Sequence, residues 1–396
     1  MSNTKSLKIL YWLGFFMAIS IAFPSYIKSS FLESFVNLNR IGLFFVGSSL
    51  FALIAINFFP YYIKKFTNYR LAIIMLVTQI LGVMLLITTH SAFWAFVFFI
   101  IIEVTTYLIF INMDVFVERF TANPTTGRIR TLYFTFINLG WLLSPLAVGY
   151  LVGKENYRLV YLIAIIFQTI VLIIMLANRK RLEDHLQYEH HPTGATMKYI
   201  LNNSNLRGIF AIAFLLELFY VVAVIYIPIY LHQYIGFDWK TIGTIFTFML
   251  IPFVVLEIPA GRIADRYSGE KKILVIGFMI LIALVTLFFL IKSTNPLIWG
   301  LVLFLSRCGA ALIESMRESY FFKIVDVKDI DYINFFRNVS PLAYLIVSGL
   351  SILVLRFFPL QVLFLFLAII LLSGFYFVGS LKKIITKEKN EGHAKR

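Results

Sequence analysis

Three ionisable residues sit where an apolar chain can least accommodate them. Glu103 lies in "FVFFIIIEVTTYLIFIN", Glu217 in "FAIAFLLELFYVVAVIY" and Arg307 in "IWGLVLFLSRCGAALI". Read as helices rising ~1.5 Å per residue, these stretches place each charge roughly 15–18 Å from one end. At the centre of a bilayer an ionised side chain costs on the order of 2.5–3.5 kcal/mol even on the mildest scale. Three such residues therefore ask for a use. A carboxylate in that position can take up and release a proton. An arginine offers a planar fork of donors to an anionic or polar group, or modulates a neighbouring carboxylate. The structural alternative is an ion pair between Arg307 and one glutamate that fixes helix packing. Two acids against one base leave at least one carboxylate outside such a pair, which favours chemistry.

A second charged feature interrupts equally apolar surroundings: "GRIADRYSGEKK", residues 261–272. Gly261 would let two helices approach closely. Asp265 can accept hydrogen bonds from a helix N-terminus or pair with an arginine. Arg266, Lys271 and Lys272 can meet acids on adjacent helix ends or anionic lipid. Together they would make a latch that holds one conformation and releases in another. The plainer reading is a solvated tight turn.

The elements that must position these groups follow from composition. The chain has 396 residues, of which 60% are hydrophobic and 14% charged, with 42 Phe. A soluble domain is nearer half apolar and a quarter charged, so the solvent for this chain is lipid. Apolar runs of about 20 residues, the length needed to cross, fall near 9–28, 41–63, 70–89, 91–117, 128–151 and 157–178. Six more fall near 207–230, 239–262, 272–292, 296–320, 332–355 and 359–380. The expectation is an all-α integral membrane protein of twelve transmembrane helices.

The formal charge of +15 is a topology signal and not a nucleic-acid footprint. With the N-terminus inside, 27 Lys and Arg fall on inner segments and 7, Lys28 among them, on outer turns. Both termini are thus expected in the cytoplasm of a cell-membrane protein. The N-terminus lacks a small-x-small cleavage site and reads as an uncleaved first span. The polar stretch at 179–206 divides the chain into bundles at 1–178 and 207–381, followed by a basic tail at 382–396. Ser-Pro-Leu-Ala recurs at Ser144–Ala147 and Ser340–Ala343, in the fifth span of each half. Two six-helix pseudo-repeats with a site between them are a common plan for carriers.

On these features the chain resembles the major facilitator superfamily. Its signature, Gly-x-x-x-Asp-Arg-x-Gly-Arg/Lys-Arg/Lys, is matched by Gly261, Asp265, Arg266, Gly269, Lys271 and Lys272, with one extra residue. The first-half counterpart "PYYIKKFTNYR" (60–70) departs from it, with Pro60 and Lys64 at the glycine and aspartate positions. The resemblance implies a secondary transporter working by alternating access, with a cytoplasmic gate at the signature. It also implies that helices 1, 4, 7 and 10 surround a central cavity; three of these hold Glu103, Glu217 and Arg307. Drug–proton exporters of the family carry a glycine-rich stretch in helix 5, ending Gly-x-x-x-Gly-Pro-x-x-Gly-Gly. Here Gly140, Pro145 and Gly149 match it, Ser144 replaces a glycine and Val148 departs from it. Such exporters often have an arginine in helix 4, whereas this helix 4 has Glu103.

Proton-coupled export of a small organic compound is therefore the first expectation. Uptake of a sugar, organic anion or peptide is the second. A membrane-embedded transferase is the remote third, because the histidines at 90, 185, 190, 191, 232 and 393 form no nucleophile–base or metal constellation. No cofactor is expected, and no Gly-x-x-x-x-Gly-Lys motif points to ATP. The expected partners are lipid, solute and protons, and the chain is expected to act as a monomer. Asp114, Glu314, Arg317 and Glu318 are expected near the cytoplasmic surface, serving the latch. Gln79 and Gln168 read as inter-helix hydrogen-bonding residues.

Overall fold

The computed structural model describes residues 2–120, 126–152, 156–183, 193–256, 259–260, 269–324 and 330–382. All regular structure among them is helical. The spans are α1 (Ser2–Ser25), α2 (Leu38–Phe66), α3 (Asn68–Thr88), α4 (Ala92–Phe120), α5 (Thr126–Val152) and α6 (Tyr157–Ala177). They continue as α7 (Ser204–Ile229), α8 (Trp239–Val255), α9 (Glu270–Leu290), α10 (Pro296–Ile324), α11 (Val339–Phe357) and α12 (Val362–Leu371, resuming as Ser373–Ser380). Among the described residues eleven helices are long and apolar enough to cross a membrane, and α8 is apolar but shorter. In hydrocarbon a backbone must satisfy its own N–H and C=O groups, and helices do so within one segment. Outward-facing Leu297, Phe357 and Tyr376 are each more than two-thirds exposed, as a lipid-facing surface requires.

Departures from straight helices have identifiable causes. Pro24 lies in the last turn of α1, which stops at Ser25. The chain turns through Tyr26 and Ile27 into a short helix, Lys28–Leu32, that is buried along its whole length. The α7 backbone runs past Pro228 into a π-turn at Tyr230–Tyr234 and ends near Gly236, whose φ of +86° suits only glycine. A helix at Ile330–Arg337 precedes α11 and is separated from it by Asn338.

The bundle has a basic end, where α2 meets α3 and α10 approaches α11, and a far end, where α1, α5 and α7 finish. At the basic end a single residue, Thr67, joins α2 to α3 with φ 69° and ψ 155°. That conformation is nearly restricted to glycine and costs about 1–3 kcal/mol. Its hydroxyl partly compensates by accepting from Arg70 N–H at 3.4 Å. Thr67→Gly should remove the strain and lose only a few tenths as a cap, raising stability by about 1 kcal/mol. Thr67→Ala keeps the strain and loses the cap, so it should lower the melting temperature in detergent while Thr67→Gly raises it.

Two close helix crossings join the first six spans to the last six. A Cβ at Gly149 of α5 would lie 2.6 Å from Trp239 O, and one at Gly243 of α8 would lie 2.4 Å from Pro145 O. A Cβ at Gly42 of α2 would lie 2.7 Å from Ser348 O of α11. Small residues let the backbones meet, which is how helices gain dispersion energy where lipid removes the hydrophobic drive.

Candidate functional site

The α4 glutamate has a partner that the charge pattern did not suggest. Because α1 ends at Pro24 and Ser25, Lys28 does not reach an outer turn. It folds back into the bundle, 8% exposed, and its ammonium donates to both carboxylate oxygens of Glu103 at 3.1 and 3.0 Å. The same ammonium lies over the rings of Phe45 of α2 and Tyr344 of α11, 5.4 and 5.6 Å from their centres. Lys28 thus moves from the outer charges to the interior. The available signal was Pro24, four residues earlier, which marks where a helix is prone to stop.

The structural alternative for Arg307, an ion pair with a glutamate, is not found among the described residues. Arg307 joins neither glutamate. It is 3% exposed, its guanidinium lies over the Phe219 ring at 4.6 Å, and its Nη1 has no hydrogen-bond partner. Among the described residues no carboxylate comes within ion-pairing distance of it. Tyr26 and Tyr220 are within electrostatic reach, so α7, α10 and the turn that follows α1 converge on this cation. Its surroundings are aromatic: Tyr26 packs on Phe246 of α8 with ring centres 4.9 Å apart.

Glu217 instead pairs with Arg317, at 3.3 Å between Oε1 and Nη1. The Arg317 side chain is buried, 7% exposed. The α10 helix is continuous over 29 residues, which carries Arg317 about 15 Å beyond Arg307 along its axis. Glu314 and Glu318 also face this guanidinium, each at 3.7 Å. The Tyr220 hydroxyl donates to Glu314. Three carboxylates thus surround one arginine. Arg337 is a second cation within electrostatic reach of Glu217 and Glu318.

Across the basic end, Asp114 of α4 meets Arg337 at 3.3 Å, a third exposed on both sides. This ion pair links the first six spans to the last six. The far end closes differently, through the glycine crossings and through Ser29, which donates to Ile225 O of α7 at 3.1 Å.

Of the signature residues, Gly261, Asp265 and Arg266 lie outside the described residues. Gly269 precedes the first turn of α9. Lys271 was expected to meet acids or lipid, but its ammonium donates to the carbonyls of Gly379 and Leu381 at 3.1 and 2.6 Å. It satisfies orphan carbonyls at the end of α12, a favourable use of a cation. Lys272 is exposed. In α5, Gly140 packs against α1, where a Cβ would meet Ala18 at 2.9 Å. Pro145 and Gly149 form the crossing with α8, so this stretch serves close packing on two sides.

Among the described residues the arrangement offers a buried cation without a carboxylate beside aromatic rings, an acid-rich cluster roughly two to three helical turns away along α10, and a Lys–Glu pair of zero net charge on the other side.

Known proteins fit this architecture. A solved peptide transporter in complex with sulfate superposes with a TM-score of 0.74 at 13% identity, covering 94% of this chain and 93% of that one. A mutant of such a transporter bound to alafosfalin gives 0.72 at 14% identity, with the same coverage. Among curated proteins no sequence match is found. The family model of the Major Facilitator Superfamily matches residues 7–328. Over most of its length, then, this multi-pass helical chain belongs to the Major Facilitator Superfamily and is a membrane transporter, not an enzyme.

Proposed function

We propose that the protein is a proton-coupled secondary transporter of a small organic solute bearing an anionic group. Arg307 carries the reading: a buried guanidinium without a carboxylate, roofed by Phe219 and reached from α7, α10 and the turn after α1. An unpaired buried charge is costly to keep, and a solute that brings the missing anion repays that cost. Aromatic faces around it suit the apolar body of such a solute. The proton is carried by Glu217 and its neighbours around Arg317, where carboxylates outnumber the cations. Alternating access would open and close the basic end by breaking and making Asp114–Arg337, while the close crossings at the far end part in turn.

Export is favoured by the α5 stretch, and uptake by the likeness to solved peptide transporters; both directions use the same groups. The deciding experiment uses vesicles of purified protein, an imposed proton gradient, and labelled organic anions, peptides and cationic drugs. Gradient-driven movement of a carboxylate-bearing solute is expected, and its sense gives the direction. Movement of cationic or neutral solutes only, or none that responds to the gradient, overturns the proposal.

We expect both termini and the 179–206 segment in the cytoplasm, because the charge count still favours the inner segments strongly once Lys28 is taken from the outer turns. Single cysteines at Ser2, Thr193 and Lys395 in a Cys308→Ala background should resist an impermeant thiol reagent in intact cells. Labelling of any of them reverses the orientation.

A further inference from the structure

Not every exposed apolar side chain lies on a span. The helix Thr193–Asn202 comes before α7, and only Asn203 separates the two. Asn203 is extended, with φ −92° and ψ 113°, and its side chain accepts from the N–H groups of Asn205 and Leu206 at 3.0 and 3.2 Å. Arg207, in the first turn of α7, donates from Nη1 to Leu201 O at 3.1 Å, which satisfies a carbonyl left over at the helix end. The corner is thus fixed: the short helix does not continue α7, and its end is held at the level where that span enters the bilayer.

Contacts decide which face looks outward. Ile200 is buried in the same core as Phe210 of α7, and Tyr199 leans on Tyr332 with ring centres 5.5 Å apart. Met197 and Leu201, four residues apart and so on one face, are 44% and 51% exposed. Lys198 beside them is exposed, as is Arg207 at the corner. A third exposed cation arrives from the end of α12, where Lys382 N–H donates to Asn205 Oδ1 at 3.0 Å. A short helix with apolar residues outward and cations among them is the form that lies in a membrane interface. Lysine lays its stem on the apolar boundary there and puts its charge in the headgroups. Lipid is the occupant the surroundings favour, because the outward face continues the lipid-facing surface of the spans and the exposed charges at the corner are positive.

We infer that the helix Thr193–Asn202 is a membrane-surface anchor that seats on anionic phospholipid headgroups at the basic end, with Lys198, Arg207 and Lys382 meeting phosphate. Its bearing on the carrier runs through Tyr332. That residue belongs to the helix Ile330–Arg337, whose last residue makes the ion pair with Asp114. A seated anchor steadies this helix and favours the closed basic end. The anchor stands whichever solute is carried, because its test reads depth in the bilayer and not transport.

The test uses purified full-length protein with Cys308→Ala and one nitroxide-labelled cysteine, at Met197→Cys, Leu201→Cys or Asn202→Cys. Bilayers are phosphatidylcholine with or without phosphatidylglycerol. Collisions with oxygen, which partitions into lipid, are compared with collisions with a water-soluble nickel chelate. Oxygen should dominate at 197 and 201 and the chelate at 202, and phosphatidylglycerol should raise the oxygen preference. Lys198→Gln with Lys382→Gln should lose that rise, since each cation near such a surface is worth roughly fivefold in binding; both leave the Arg207 cap in place. Chelate dominating at all three sites makes the helix a solvated one. Slow collisions with both reagents mean cover by protein, a second copy or another chain. Either result, or an oxygen preference indifferent to phosphatidylglycerol, overturns the anchor. The link to the gate is read from the distance between nitroxides at Lys65→Cys and Lys272→Cys, one on each half. Phosphatidylglycerol should shorten it, and Tyr199→Ala, which keeps the outward face, should lose the shortening. A distance that ignores the lipid, or a shortening that survives Tyr199→Ala, overturns the link.

Discussion

Arg307→Met is expected to leave the protein as stable as the parent or more so, and to reduce transport to background. The two effects have one cause. Arg307 is buried, its Nη1 makes no hydrogen bond, and among the described residues the Phe219 face, with Tyr26 and Tyr220 within reach, meets its charge in place of a carboxylate. A cation–π contact of this kind is worth about 2 kcal/mol when desolvated, less than the several kcal/mol that burying an ion costs. Methionine has similar length, packs against the same ring and brings no charge, so folding gains. Transport loses the group that meets the solute's anion. Truncating one side of a buried charge pair costs about 2–5 kcal/mol, or roughly 30-fold to several-thousand-fold in affinity. Arg307→Lys separates a fork from a point charge: partial transport means that charge suffices, and none means that the planar donors are needed. Melting curves beside transport rates decide the matter. A destabilised Arg307→Met would make the arginine a packing element and remove it from the binding site.

How far this site could be read from the chain differs by residue. The depth of Glu103, Glu217 and Arg307 follows from counting, because a helix has a fixed rise and hydrocarbon a fixed thickness. Their partners do not follow from counting, because pairing depends on where helices stop and how they turn about their axes. Lys28 looks like an outer charge unless α1 is stopped at Pro24 and the following residues are folded inward. Arg317 reads as a residue near the cytoplasmic end of its span, and its pairing with Glu217 shows only once α7 and α10 are set side by side. The α5 glycines were legible as a family pattern, but their use in crossings with α1 and α8 appears only when the facing backbone is placed. Thr67 gave no warning at all: nothing in "KKFTNYR" marks a β-branched residue in a glycine conformation. The gate expected from Asp265 and Arg266 lies outside the described residues. The inter-bundle pair that the structure does describe, Asp114–Arg337, joins residues far apart in sequence.

Arg317→Met makes the opposite prediction to Arg307→Met, although the residues are of one type and share α10. Arg317 is the cation that three carboxylates have in common, with Glu217, Glu314 and Glu318 at 3.3, 3.7 and 3.7 Å. Removing one partner of a buried pair strands the other and costs about 3–5 kcal/mol. Here it strands three, so Arg317→Met should be poorly stable or fail to accumulate. Glu217→Gln alone should be well tolerated, because it relieves an excess of like charge and keeps a hydrogen-bonding oxygen within reach of the guanidinium. In combination, Glu217→Gln should restore part of the stability that Arg317→Met loses, an interaction energy that a double-mutant cycle reads directly. Transport orders the variants differently. If Glu217 carries the coupled proton, the stable Glu217→Gln protein should still exchange labelled solute across a membrane without a gradient, yet fail to accumulate it when a gradient is imposed. The decisive combination is thus a variant that folds, exchanges and does not concentrate. Glu217→Gln that concentrates solute as the parent does would reduce the cluster to a structural network and leave the proton to another group.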